Sequence, residues 1–276
     1  MVSGSTAGSP LSAEPLYHRK GEHYVPTGLT RGPWDERHQH GGAPAALIAG
    51  ALESHEGADA MALTRVNFEF LRPVPLEPLA LAVAVDSGGR RVQRLRASLH
   101  MGKTEICRAT GLRIRRSDAL SEQAGAPESA PRLPAADEIA DADVSSFPAG
   151  FARDAMELRF LEGRFHEPGP ATVWFRLRAP VVDDHPATSL QSAVAAADFG
   201  NGVSAMLDWK DSLFINTDLT VALEREPEGE WVCLDASTHL GPRGAAVSES
   251  VLHDRAGRIG RALQCLLIDR RDAERF

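Results

Sequence analysis

Residues 79–116 read LALAVAVDSGGRRVQRLRASLHMGKTEICRATGLRIRR, and residues 231–270 read WVCLDASTHLGPRGAAVSESVLHDRAGRIGRALQCLLIDR. Each stretch holds three runs of alternating apolar residues separated by two turns. The turns are DSGGR and HMGKT in the first, GPRG and HDRAGR in the second. Glycine there supplies the positive φ of a tight hairpin. A shift of 153 (217 − 64 = 153) lays one stretch on the other. Gly88 and Arg90 fall on Gly241 and Arg243, Leu99-His100 on Leu252-His253, Ile106 on Ile259, and Arg108-Ala109 on Arg261-Ala262. Further out, Thr64 falls on Thr217 and Arg72 on Arg225. Solenoid units run roughly 20 to 50 residues, so this period is that of a whole small domain. The chain reads as two similar domains fused head to tail.

The flanks agree. A strand is predicted from Tyr17 to Val25, then a loop, GPWDERHQHGG, over 32–42. APAALIAGALESH (43–55) reads as a helix, with Pro44 in the first turn, where a missing N–H costs nothing. RVNFEFLRPVP (65–75) alternates at Val66, Phe68 and Phe70 and is read as a half-buried strand, ended by Pro73, Pro75 and Pro78. In the second half ATVWFRLRAPV (171–181) is a strand. LQSAVAAADFGNG (190–202) is a helix stopped by Gly-Asn-Gly, and FINTDLTVALER (214–225) is one long strand. Residues 117–143 are rich in Ala, Pro, Ser and acids without periodicity, a linker signature. The expected organisation is a disordered lead (1–16), a domain at 17–116, a linker at 117–150 and a domain at 151–276. A short strand or helix is expected somewhere in 145–165.

The net charge of −8 argues against nucleic-acid or anionic-membrane partners. No run approaches the ~18 apolar residues of a membrane helix, and MVSGSTAGSPLSAEP lacks the pattern of a signal peptide. The three cysteines, Cys107, Cys233 and Cys265, match no zinc or CxxC spacing. They sit in apolar runs and are read as buried reduced thiols of a cytoplasmic protein.

One helix and several long antiparallel strands, twice over, is an α+β pattern. Each sheet must cover its apolar face. It can do so by wrapping around its helix, and two halves can join edge to edge, which removes exposed edges. That arrangement is a double hot-dog.

The runs HGGAPAALIAGALE, RVNFEFLRPVP and AAADFGNG…NTDLTVALER…ALQCLLI resemble the double hot-dog acyl-CoA thioesterases, closest to the thioesterase II type. The resemblance spans nearly the whole chain except the lead and the linker. It implies hydrolysis of acyl-CoA without metal or cofactor, and a homodimer. It also implies a water held by an Asp on the second helix, a Thr or Ser on the next strand and a Gln on the last strand. These positions fall on Asp198, on Asn216 or Thr217, and on Gln264. Asn216 departs from the family's hydroxyl.

The chemistry of the residues is consistent with this. A carboxylate at Asp198 can take a proton from water, and Gln264 with Asn216 or Thr217 can hold the water's other bonds. Asp198 lies near a helix C-terminus, where the dipole disfavours a carboxylate, which points to function. The helix start His40-Gly41-Gly42 is the candidate oxyanion site, its glycines letting substrate reach free N–H groups. The shift of 153 maps Asp198 to Ala45, Gln264 to Gly111, Asn216 to Leu63 and Thr217 to Thr64, so only one of two sites keeps the polar set.

Structural readings stay open beside each of these. Asp198 can be solvated, Gln264 can face water or a buried partner, and HGG can be a plain helix-start turn. His18, His23, His38 and His40 lack the neighbours of a metal site. The Arg-rich RRVQRLRAS (90–98) fits a solvated sheet face or CoA phosphates. Phe68, Phe70, Trp174 and Phe175 read as core. The rival functions are a non-catalytic acyl-CoA-binding protein and a hot-dog hydratase. The hydratase is set lower because no His lies in the helix around Asp198.

Overall fold

The computed structural model describes residues 14–271, except 120, 137, 139–146, 166 and 184. In the first half, β1 (Tyr17–Lys20) and β2 (His23–Pro26) precede α1 (Gly42–Ser54). Then come β3 (Met61–Phe70), β4 (Leu79–Ser87), β5 (Val92–Met101) and β6 (Thr104–Arg115). A short helix α2 (Ser121–Ala124) follows. The second half holds β7 (Met156–Arg164), β8 (Glu167–Leu177), α3 (Ser189–Ala197), α4 (Gly200–Val203), β9 (Ser212–Asn216) and β10 (Asp218–Leu223). It closes with β11 (Trp231–Leu240), β12 (Ala245–Asp254) and β13 (Gly257–Arg270).

These strands form one antiparallel sheet in the order β1-β2-β4-β5-β6-β3-β10-β13-β12-β11-β8-β7, with β9 alongside β13. The order reads as a palindrome about the β3–β10 pair. Asn67 of β3 faces Thr220 of β10 (220 − 67 = 153), so the pseudo-twofold passes between two equivalent residues. Thr220 Oγ1 donates to Asn67 Oδ1 at 2.6 Å across it. The shift of 153 carries β5 onto β12 end to end and the start of β6 onto the start of β13.

The equivalence extends to the bulges. β3 slips register against β6 at Thr64, and Thr217 separates β9 from β10, both of which pair with β13. A bulge adds one residue and bends the strand. Thr64 Oγ1 donates to the Leu112 carbonyl at 3.1 Å, and Thr217 Oγ1 to the Cys265 carbonyl at 3.3 Å. Leu112 and Cys265 are themselves 153 apart. The stretch 214–225 is therefore two strands, because Thr217 bends it as Thr64 bends β3.

The helices do not obey the shift. It would carry Gly42, the start of α1, onto Ala195, well inside α3. The counterpart of Asp198 is therefore not found by subtraction. Nor does Gly-Asn-Gly stop the second helix: α3 ends at Ala197, with Asp198 as its cap, and Gly200-Asn201-Gly202 lies inside α4. Thr188 and Gln191 form a capping box at the start of α3. The two helices pack through small residues. A Cβ on Gly42 would meet the Ala195 carbonyl at 2.8 Å, and one on Gly50 would meet Gln191. Gln191 Nε2 also donates to the Ala46 carbonyl. At the other end of α1 the buried Arg113 guanidinium donates to the carbonyls of Leu52, Glu53, His55 and Glu56. It satisfies the last turn's orphan acceptors and opposes the negative end of the dipole.

Most of the expected lead, residues 1–13, lies outside the described residues, but Leu16 is buried and its N–H donates to the Pro180 carbonyl. Parts of 117–150 lie along the second half: the Arg132 carbonyl accepts from Trp174 Nε1, and that of Pro134 from Arg159. Phe151–Ala155 is one wide helical turn leading into β7. Cys107 and Cys233 are buried, whereas Cys265 is exposed. The alternation that turns Gln264 inward on β13 turns its neighbour outward.

Candidate active site

Asp198 closes α3 with its side chain only 3% exposed. A buried carboxylate needs donors, and three segments supply them. Asn216, the last residue of β9, donates from Nδ2 to Oδ1 at 2.8 Å. Gln264, on β13, places Nε2 at 3.2 Å from the Asp198 main-chain carbonyl and 3.5 Å from Oδ1. His40, just ahead of α1, places Nδ1 at 2.9 Å from Oδ2. The two oxygens thus face three side chains drawn from both halves of the chain.

Each donor is held in turn. The Gln264 Oε1 accepts the Asn201 N–H at 3.0 Å, which turns its amide nitrogen towards Asp198. Gly200 makes that approach possible: a Cβ there would lie 2.9 Å from Ser250 Oγ and 3.0 Å from Gln264 Oε1. The His40 ring stacks on Phe199 (4.4 Å between centroids) and tilts against Phe151 (5.0 Å). Its Nδ1 also lies 3.1 Å from the Gly42 N–H. A carboxylate only accepts, so Nδ1 carries the proton when it bonds Asp198, and in that state it cannot also accept from Gly42.

The sequence-predicted residues divide. Asp198, Asn216 and Gln264 come together. Thr217 does not: it is exposed, and its hydroxyl goes to the Cys265 carbonyl as a bulge device. His40 is at the site, but as a partner of the carboxylate. The glycines make close packing possible. A Cβ on Gly41 would lie 2.9 and 3.1 Å from the Asp198 oxygens, and Gly42 abuts Ala195. They admit the close approach of Asp198 and α3. The Ala43 N–H is taken by the His40 carbonyl. Among the described residues, the N–H of Gly41 is left without a protein acceptor. The contact of His40 with Asp198 spans 158 residues (198 − 40 = 158) and has no local signal in the sequence. Of the other histidines, His18 faces Asp183 and His38 faces Asp35. Among the described residues no group of three or more His, Cys, Asp or Glu is placed to hold a metal.

Residues 127–268 match the family model described as the acyl-CoA thioesterase C-terminal domain, and residues 30–114 match the acyl-CoA thioesterase N-terminal domain. The chain belongs to the acyl-CoA thioesterase family. In this thioesterase-family chain Asp198, Asn216 and Gln264 fall within the C-terminal match and His40 within the N-terminal one. The fold is shared with solved structures at low identity. A conserved protein of unknown function with hot dog fold from Alicyclobacillus acidocaldarius is 15% identical, with 96% of each chain covered and a TM-score of 0.69. An acyl-CoA thioesterase II from Mycobacterium marinum is 15% identical, over 92% of this chain and 95% of that one, with a TM-score of 0.62. A tesB protein from Mycobacterium avium subs paratuberculosis is 16% identical over 94% and 96%, also at 0.62. A search of curated proteins finds no match. Among the described residues no helix is long and apolar enough to cross a membrane.

Proposed function

We propose that this chain hydrolyses acyl-CoA thioesters in the cytoplasm, at a single site between its halves, with Asp198 as the base. The observation that carries this is the buried Asp198 carboxylate held by Asn216, Gln264 and His40. The Nδ2 of Asn216 serves Asp198 and the Asp218 carbonyl, so its Oδ1 remains to accept. A water donating one hydrogen to Asp198 and the other to Asn216 Oδ1 has a lone pair left for the thioester carbon. Attack transfers the first proton to Asp198, and the Gly41 N–H receives the oxyanion. Collapse breaks the C–S bond, Asp198 returns its proton to the departing thiolate, and free acid and CoA leave. Gln264 and His40 act through Asp198 as positioning residues, and no cofactor takes part.

A second reading has one observation in its favour. The His–Asp pair that sequence spacing did not offer is supplied by His40, at 2.9 Å from Asp198. With Nδ1–H on the carboxylate, Nε2 would be the base, a pairing suited to adding water across an enoyl thioester. Saturated and trans-2-enoyl acyl-CoAs separate the possibilities, with thiol release and loss of enoyl absorbance followed together. Thiol release with free acid as product is expected. Hydration without thiol release would replace the proposal by the hydratase, and binding without either reaction would replace it by an acyl-CoA-binding protein.

A further inference from the structure

The internal repeat brings out a second feature, next to the site. In the second half Arg225 is bound to the fully buried Asp254, with Nη1 at 2.6 Å from Oδ2 and Nη2 on the other oxygen. Nη2 also reaches the Gly257 carbonyl at 3.0 Å. The surrounding space is filled by the segment before β7. The Glu128 carbonyl accepts the Arg258 N–H, and Pro127 and the Glu128 carbonyl close over Gly257.

The shift of 153 carries Arg225 to Arg72, Asp254 to Met101, Gly257 to Thr104 and Ile259 to Ile106. These four first-half residues, with His38, Pro73 and Pro75, line a cavity of about 490 Å³. That volume lies in the range of small-molecule sites, ~300–1,000 Å³. What is a closed ion pair in one half is an open groove in the other. The carboxylate has become Met101, and among the described residues Arg72 has no acidic partner. Lys103 stands exposed on the turn between β5 and β6.

The groove adjoins the catalytic residues along two chain segments. A Cβ on Gly41 would lie 3.2 Å from Phe70 Cζ, and Arg72 is two residues further on. His38 is two residues before His40, and between them the Gln39 N–H donates to the Val74 carbonyl. Two residues of extended chain span about 7 Å. The arginines of 90–96 are placed differently. Arg94 pairs with Leu112, which pairs with Arg65, five residues back along β3 from Phe70. They lie towards the far end of the sheet from the site.

We infer that Arg72 and its groove hold a phosphate of the CoA portion of the substrate. A guanidinium freed from its carboxylate, beside a mixed apolar and polar cavity, suits a phosphate carried on an organic arm. This assignment rests on the proposed thioester hydrolysis.

The test compares acyl-CoA with the matching S-acyl-pantetheine, which has the same reacting bond and no phosphate. The readout is the ratio of their KM values, in wild type, Arg72→Ala and Met101→Asp. Met101→Asp offers Arg72 the carboxylate it has in the other half, so it tests the same claim while keeping the arginine. Both variants are expected to raise the ratio of KM for acyl-CoA to KM for S-acyl-pantetheine about tenfold, the loss of one charge-assisted contact. An unchanged ratio in both overturns the inference. If wild type hydrolyses neither thioester, the proposed function fails, and calorimetric titration with CoA tests the groove by itself. A tenfold weaker Kd in Arg72→Ala then supports it, and an equal Kd overturns it.

Discussion

Gly41→Ala probes the account at its tightest contact. Gly41 has φ −57° and ψ −28°, an ordinary helical conformation, so alanine meets no backbone penalty. The added Cβ would stand 2.9 Å from Asp198 Oδ2, 3.1 Å from Oδ1 and 3.2 Å from Phe70 Cζ. Ordinary contact begins near 3.4 Å, so the carboxylate must move by 0.3–0.5 Å. It has no free direction, because Asn216 at 2.8 Å and His40 at 2.9 Å hold it. Overpacking of this kind costs about 1–3 kcal/mol, partly offset by the ~0.4–1 kcal/mol that alanine gains by restricting the unfolded chain. A net loss of about 1.3 kcal/mol lowers Tm by roughly 3–5 °C in a chain of this size. Displacing a base by a fraction of an ångström also costs rate, so kcat is expected to fall about 10- to 100-fold. Thiol release from an acyl-CoA and a thermal melt measure both quantities on one preparation. A folded Gly41→Ala protein with kcat within twofold of wild type would refute the reasoning, because Asp198 would then be either movable or idle.

Other substitutions separate function from scaffold. Asn216→Leu removes the water's second acceptor and a donor to Asp198 and is expected to lower kcat about 100-fold. Asn216→Thr keeps a hydrogen-bonding group and should stay within tenfold of wild type in the same assay. Arg113→Met leaves four carbonyls at the end of α1 without their donor and should cost about 2–4 kcal/mol in urea unfolding, with KM unchanged. Burial pushes the Asp254 carboxyl up, but Arg225 and the N–H groups of Glu228 and Ala256 outweigh it and leave it below the ordinary aspartate range. A depressed folded-state value contributes stability above the unfolded value, and that contribution is lost as pH falls through the folded one. Arg225→Met removes the largest lowering influence, so its acid unfolding, followed by tryptophan fluorescence, should begin at higher pH than in wild type.

The strands were legible because their period is two and their turns carry glycine. A sheet read that way keeps its register through the whole repeat, and the equivalence of β5 with β12 follows directly. The helices were harder to read. Alanine-rich segments show little amphipathic contrast when both faces are buried, so Gly200-Asn201-Gly202 passed for a stop although it continues as α4. The inserted Thr217 shifts the alternation by one between Phe214 and Leu219, and the run on the β9 side is too short to show the change of phase. Asp198, Asn216 and Gln264 were reachable through family resemblance. The contact between His40 and Asp198 depends on how α1 packs on α3, which no local pattern encodes. The open groove at Arg72 was hidden for a related reason. Arg72 and Arg225 match as letters, and only the replacement of Asp254 by Met101 distinguishes them.

The central claim is that Asp198 is the base for thioester hydrolysis at one site between the halves. Asp198→Asn tests it most directly. The amide oxygen can keep the bonds from Asn216 and Gln264, and its NH2 can donate to His40 in the other tautomer, so the fold should survive. The measurement is kcat for thiol release from the best acyl-CoA of a short-to-long panel, on wild type and variant, each checked by thermal melt. A loss of about 100- to 10,000-fold with a near-native melt is predicted. Turnover within threefold of wild type in a folded variant would contradict it.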